Sequence, residues 1–136
     1  MPYEFFEHEA DIGIRGVGTS LEEAFESAAC ALFEVMTDTK KIVPIKAIEI
    51  ECEAQNREEL FIEWLNKLIS ESTINDMLFS HFLVKIEGNK LTGTAKGEHI
   101  DTKKHELKTE VKAATYSQLK VFEKNRQFIA QCVVDV

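Results

Sequence analysis

Two acidic residues near opposite ends of the chain carry the clearest chemical suggestion. They are Asp11, in His8-Glu9-Ala10-Asp11, and Asp135, in Val133-Val134-Asp135-Val136. Asp135 precedes the last residue, so Val136 is expected to carry a free α-carboxylate. If the terminal strands lie side by side, three hard oxygen donors converge on one point. Such a set suits Ca²⁺, Mg²⁺ or Mn²⁺, whereas Zn²⁺ usually takes nitrogen and sulfur ligands. Acidic residues at strand ends are also ordinary solvated groups, so the pattern alone does not make a site.

Other polar constellations say less. The four histidines, His8, His81, His99 and His105, match no local metal-ligand spacing. His99, Asp101 and His105 share a polar segment that fits either a metal-dependent hydrolase site or a flexible solvated loop. His81 falls in an expected strand over 79–87, where packing or surface exposure is favoured over catalysis. Glu110 and Lys112 alternate onto one face of another expected strand, as a surface ion pair would. The nucleophile-elbow, phosphate-loop, dinucleotide-binding and H-E-x-x-H motifs are all absent.

At 136 residues the chain suits one domain, 1–136, with a single hydrophobic core. Cys30, Cys52 and Cys132 are scattered, which argues against a disulfide framework or a sequence-local zinc site and favours a reducing, cytoplasmic setting. No segment approaches the roughly 20 apolar residues of a membrane helix, and the start lacks the pattern of a secretory signal. The net charge of −8 argues against direct nucleic-acid binding, which needs a basic face. Lys40-Lys41 and Lys103-Lys104 sit among acidic neighbours and read as solvated loop charges.

The elements that must position these residues follow from periodicity and capping. Ile12 and Ile14 alternate with Asp11, Gly13 and Arg15, and Gly16 and Gly18 mark a turn. Ser20, with Glu23 as capping-box partner, opens a helix whose apolar face is Leu21, Ala24, Phe25, Ala28, Leu32 and Phe33, ending near Met36-Thr37-Asp38. Residues 45–54 alternate as a strand with an acidic outer face. Asn56 to Glu59 caps a second helix with the stripe Leu60, Phe61, Trp64, Leu65, Leu68 and Ile69, in which Trp64 is expected to be core. Strands follow around Phe82–Ile86, a turn at Gly88-Asn89, an extended run from Val111 to Val121, a polar reversal at Lys124-Asn125-Arg126, and Phe128 to Val136. Two helices with six or seven hairpin-connected strands imply an α+β two-layer sandwich, a largely antiparallel sheet with both helices on one face.

Several of these segments, taken in order, resemble the archease family. They are His8-x-Ala10-Asp11, Ala24-Phe25 through Ala31-Leu32-Phe33, Met36-Thr37-Asp38, Glu63-Trp64-Leu65-Asn66, Glu110-Val111-Lys112-Ala113-Ala114-Thr115-Tyr116 and the apolar-apolar-Asp-apolar ending. The resemblance implies a non-enzymatic accessory factor of RtcB-type RNA ligases in tRNA splicing, one that promotes ligase guanylylation and multiple turnover. It implies a metal site at Asp11, Asp135 and Val136, with calcium as the ion and magnesium or manganese suited to the same donors. Glu110 and Lys112 become candidates for contact with the ligase. The chain departs from the family at Glu7 and Glu9, where Asp and Thr are frequent, and at Ser117, where His is frequent. The rival readings are a chaperone-like module for a tRNA methyltransferase and, less favoured, a metal-dependent hydrolase using Asp11, Asp135 and His8. An RNA helicase stays open as a further partner.

Overall fold

The computed structural model describes residues 3–8 and 11–136; Met1, Pro2, Glu9, Ala10 and the side chain of His8 lie outside the described residues. The chain runs β1 (Tyr3–His8), β2 (Asp11–Gly18), α1 (Leu21–Met36), a 3-10 turn (Thr39–Lys41), β3 (Lys46–Glu53), α2 (Arg57–Asn75), β4 (Met77–Glu87), β5 (Lys90–His99), β6 (Ala113–Ala114), β7 (Lys120–Lys124) and β8 (Gln127–Asp135). The pairings between these strands are antiparallel. The α+β class with two helices therefore holds. The strands divide between two sheets, β1-β2-β8 with β6 and β7 both on the far side of β8, and β3-β5-β4. No helix among the described residues is long and apolar enough to cross a membrane.

Both helices start where capping chemistry places them. Ser20 Oγ accepts from Glu23 N at 3.1 Å. The Glu23 carboxylate reaches one residue further out than a capping box requires, to Thr19 N and Oγ1 at 3.4 and 3.2 Å. Asn56 Oδ1 accepts from Glu59 N at 2.9 Å to open α2.

Helix α1 is buried between the sheets. A Cβ at Gly16 of β2 would run into the Ala24 carbonyl oxygen and the Ala28 amide, so only glycine lets the helix lie this close. On the opposite side Phe33 meets Phe79 and Phe82 of β4, with ring centroids 5.4 and 5.7 Å apart. Glu26 also faces β4, where its carboxylate accepts from Val84 N at 2.8 Å. That bond satisfies a strand-edge amide, and burial raises the Glu26 pKa. Trp64 of α2 is fully buried, as its place in the stripe implies; its Nε1 donates to Phe25 O at 3.1 Å.

The segment 100–112 between β5 and β6 is tied down by single backbone and side-chain bonds rather than by a strand ladder. Thr37 Oγ1 donates to Glu106 O at 2.6 Å, and Lys108 N donates to Met36 O at 2.8 Å. His105, only 2% exposed, accepts from Asp101 N through Nδ1 at 2.9 Å. Its Nε2 therefore carries the hydrogen facing Glu98 Oε2 at 3.1 Å. His105 is thus a buried loop residue with a partner on each ring nitrogen.

Glu98 gathers these contacts. It takes hydrogen bonds from Lys104 Nζ and Val43 N, both at 2.7 Å, as well as the one from His105. Lys104 first, then the Val43 amide and His105, hold its carboxyl at about 2, below the ordinary 4.5. A lowered folded-state pKa contributes stability that is complete above 4.5 and is lost as pH falls towards 2. Glu98→Gln is expected to cost about 1–3 kcal/mol at pH 6. The deficit against wild type should shrink towards pH 3 in urea unfolding; a deficit constant with pH would refute this account.

Candidate functional site

Asp11 opens β2 and Asp135 closes β8. The register runs from Gly18↔Phe128 to Ile12↔Val134, so Asp11 and Asp135 each lie one residue beyond its last pair, at the same end of the sheet. Ile14 is fully buried in the core, which puts Asp11, Gly13 and Arg15 on the opposite, outer face. Paired residues share a face, so Gln131, Val133 and Asp135 belong to that outer face too. Asp11 is half-buried and Asp135 exposed. The Val136 side chain packs against the core, which fixes the direction in which the chain leaves β8.

Asp135 is held from a second side by β6. Ala113 and Ala114 pair with Asp135 and Val134, and Lys112 N donates to Asp135 O at 2.8 Å. Thr115 donates to Val133 O from both N and Oγ1, at 3.0 and 2.8 Å. Among the described residues neither Asp11 nor Asp135 forms an ion pair with a cation of this chain. Also among them, no three His, Cys, Asp or Glu side chains gather as a metal cluster. The expected set needs only two side chains plus a main-chain carboxylate. Its donors are all hard oxygens on adjacent strand ends, and that chemistry fits Ca²⁺, Mg²⁺ or Mn²⁺.

Further along the outer face, Arg15 lies 5.0 Å above the Phe6 ring and donates to Gln131 Oε1 at 2.8 Å and Glu4 Oε2 at 2.6 Å. Beyond it opens a groove of about 900 Å³ lined by Lys120, Phe122, Lys124 and Gln127 among others. The two carboxylates do not line it.

Glu110 and Lys112 lie just before a strand rather than in one, because strand pairing begins only at Ala113. Val111, 5% exposed, is buried between the two charges. Both side chains are exposed, and among the described residues they form no ion pair with each other. Lys112 is nonetheless tied by its amide to Asp135. His81 is exposed on β4 beside Ser80 Oγ at 3.0 Å, and His99 Nε2 lies 2.9 Å from Lys46 Nζ. Asp101 and His105 thus bond each other, while His99 turns to Lys46.

Asn66, which the sequence shows only within Glu63-Trp64-Leu65-Asn66, has a structural role beside Asp135 that no spacing reports. The Asn66 side chain bonds both backbone groups of Ala114. Its only local signal is a polar residue at the margin of the α2 stripe.

The sequence model of the archease protein family matches residues 3–136. The chain is 46% identical over 136 residues to the protein archease of Sulfurisphaera tokodaii and 44% identical over 140 residues to that of Pyrococcus abyssi, with 98% of both chains covered in each case. The solution structure of Methanobacterium thermoautotrophicum protein 1598 superposes with a TM-score of 0.87 at 38% identity, covering 98% of each chain. The crystal structure of a Thermotoga maritima archease, described as a possible chaperone, gives 0.65 at 29% identity, covering 96% of this chain and 94% of that one.

Proposed function

The chain belongs to the archease family, and from that premise we propose that it activates an RtcB-type RNA ligase in tRNA splicing, promoting guanylylation and repeated turnover without catalysing a reaction itself. The observation supporting this reading is the carboxylate pair. Asp11 and Asp135 belong to strands far apart in sequence that pair with each other, lie one residue beyond the last pair at the same end of the sheet, and form no ion pair among the described residues. Asp11, Asp135 and the main-chain carboxylate of Val136 would hold a divalent ion, calcium by preference. Such an ion neutralises phosphate charge during nucleotidyl transfer. Glu110 and Lys112, exposed on the segment that adjoins Asp135, would meet the ligase. The work would be cytoplasmic, and the interaction would be with protein rather than with nucleic acid or membrane.

The test is ligase guanylylation with GTP and a divalent ion, with and without catalytic amounts of this protein. Strong stimulation supports the reading, and none with a cognate ligase refutes it. The alternative is a chaperone-like module for a tRNA-modifying enzyme, the direction in which the Thermotoga maritima relative's description points. It predicts altered solubility or oligomeric state of that enzyme, independent of Asp11.

The third donor has its own test. Appending one residue after Val136 is expected to lower calcium affinity by about tenfold or more, as measured by calorimetry. A tag before Met1 should leave affinity unchanged, and equal affinities for the two proteins would remove Val136 from the donor set.

A further inference from the structure

Strand β6 is two residues long and pairs with β8 alone. The N–H and C=O of Ala114 turn towards α2, where no strand is present to receive them. Asn66 receives both: its Oδ1 accepts from Ala114 N at 2.8 Å and its Nδ2 donates to Ala114 O at 3.3 Å. A carboxamide offers the same donor and acceptor as the peptide group of a neighbouring strand, so this one side chain stands in for a missing ladder. Its backbone is anchored by the fully buried Trp64 and Leu65 on the same helix. The support therefore runs from the core through α2 and Asn66 to Ala114. From there it passes to Asp135 through the β6–β8 pairing and to Lys112, whose amide bonds Asp135 O.

We propose that Asn66 is a positioning residue, fastening β6 to α2 so that Asp135 and Lys112 are held in a fixed relation to Asp11. The placement stands on the geometry alone. Its consequence for ligase activation rests on the accessory-factor reading. This role also accounts for the asparagine of Glu63-Trp64-Leu65-Asn66, whose tryptophan serves the core.

Asn66→Ala removes both bonds, and Asn66→Asp keeps the acceptor while losing the donor. Amide hydrogen exchange on the isolated protein should accelerate by about tenfold or more at Lys112 and Ala114 in Asn66→Ala, with β3, β4 and β5 unchanged. Asn66→Asp should give a smaller change at the same amides. Calcium affinity of Asn66→Ala should fall by about tenfold. In the ligase assay the half-maximal concentration should rise, while saturating protein still stimulates. Exchange that is unchanged, or faster uniformly over both sheets, overturns the proposal. So does local acceleration accompanied by wild-type calcium affinity and ligase response. Wild-type protein that neither binds calcium nor stimulates a ligase overturns the accessory reading instead, and the exchange data then decide the placement of Asp135 and Lys112 by themselves.

Discussion

Asp11→Ala is expected to reduce stimulation of ligase guanylylation to background while leaving the fold intact. The two effects separate because of where Asp11 sits. It is the first residue of β2, half-buried, and among the described residues it has no ion pair to lose. Removing such a side chain changes stability by about 0.5 kcal/mol or less. The same truncation takes away one of only two side-chain donors proposed for the ion, so the donor set fails rather than weakens. Guanylylation measured beside the thermal midpoint distinguishes the cases. Full stimulation by Asp11→Ala would keep the ligase as partner and discard the carboxylate mechanism. Loss of stimulation together with a large fall in the midpoint would show that Asp11 acts through the fold.

The largest effect on stability is expected at Trp64. Trp64→Ala should cost about 3–5 kcal/mol, by transfer of a large aromatic surface and by the cavity left behind. Two features keep that cavity from collapsing. Across from the indole stands Gly93 of β5, where an added Cβ would lie 2.6 Å from the ring, so no side chain there can move into the space. The other walls are Phe82, whose ring centroid is 6.3 Å away, and helix α1, whose Phe25 carbonyl accepts the indole N–H. Urea unfolding measures the cost. A loss below about 1.5 kcal/mol would mean that the surrounding core repacks, contrary to the rigidity argued from Gly93.

The helices were the most legible part of the sequence because their signals are local. Ser20 and Asn56 cap the turns they begin, and the stripe from Leu60 to Ile69 is buried as its spacing implies. The hairpin reversals were legible for the same reason: Gly88, Asn125 and Arg126 all adopt positive φ. The division into two sheets was not. Alternation tells which residues of a strand are buried, but not which distant strand lies beside it, and β2 pairs with β8 across nearly the whole chain. The stretch from Val111 to Val121 read as one extended run because its apolar residues alternate, whereas it holds only the short strand β6 and the start of β7 with a turn between them. Asp11 and Asp135 were linked by their chemistry and by resemblance to a family; β2 pairs with β8, and each residue lies one step beyond the last pair of that register. Asn66 and Glu98 act on partners remote in sequence or in other segments, and no spacing reports such bonds.

The pairing of β2 with β8 also governs when the molecule becomes complete during its synthesis. Strands β3, β4 and β5 are contiguous with α2, so that sheet has all its parts once His99 has left the ribosome. The other sheet has its first hairpin at the outset but gains its central strand last. Until β8 emerges, one edge of β2 has no partner. A nascent chain can therefore own most of its core while this edge still stands open.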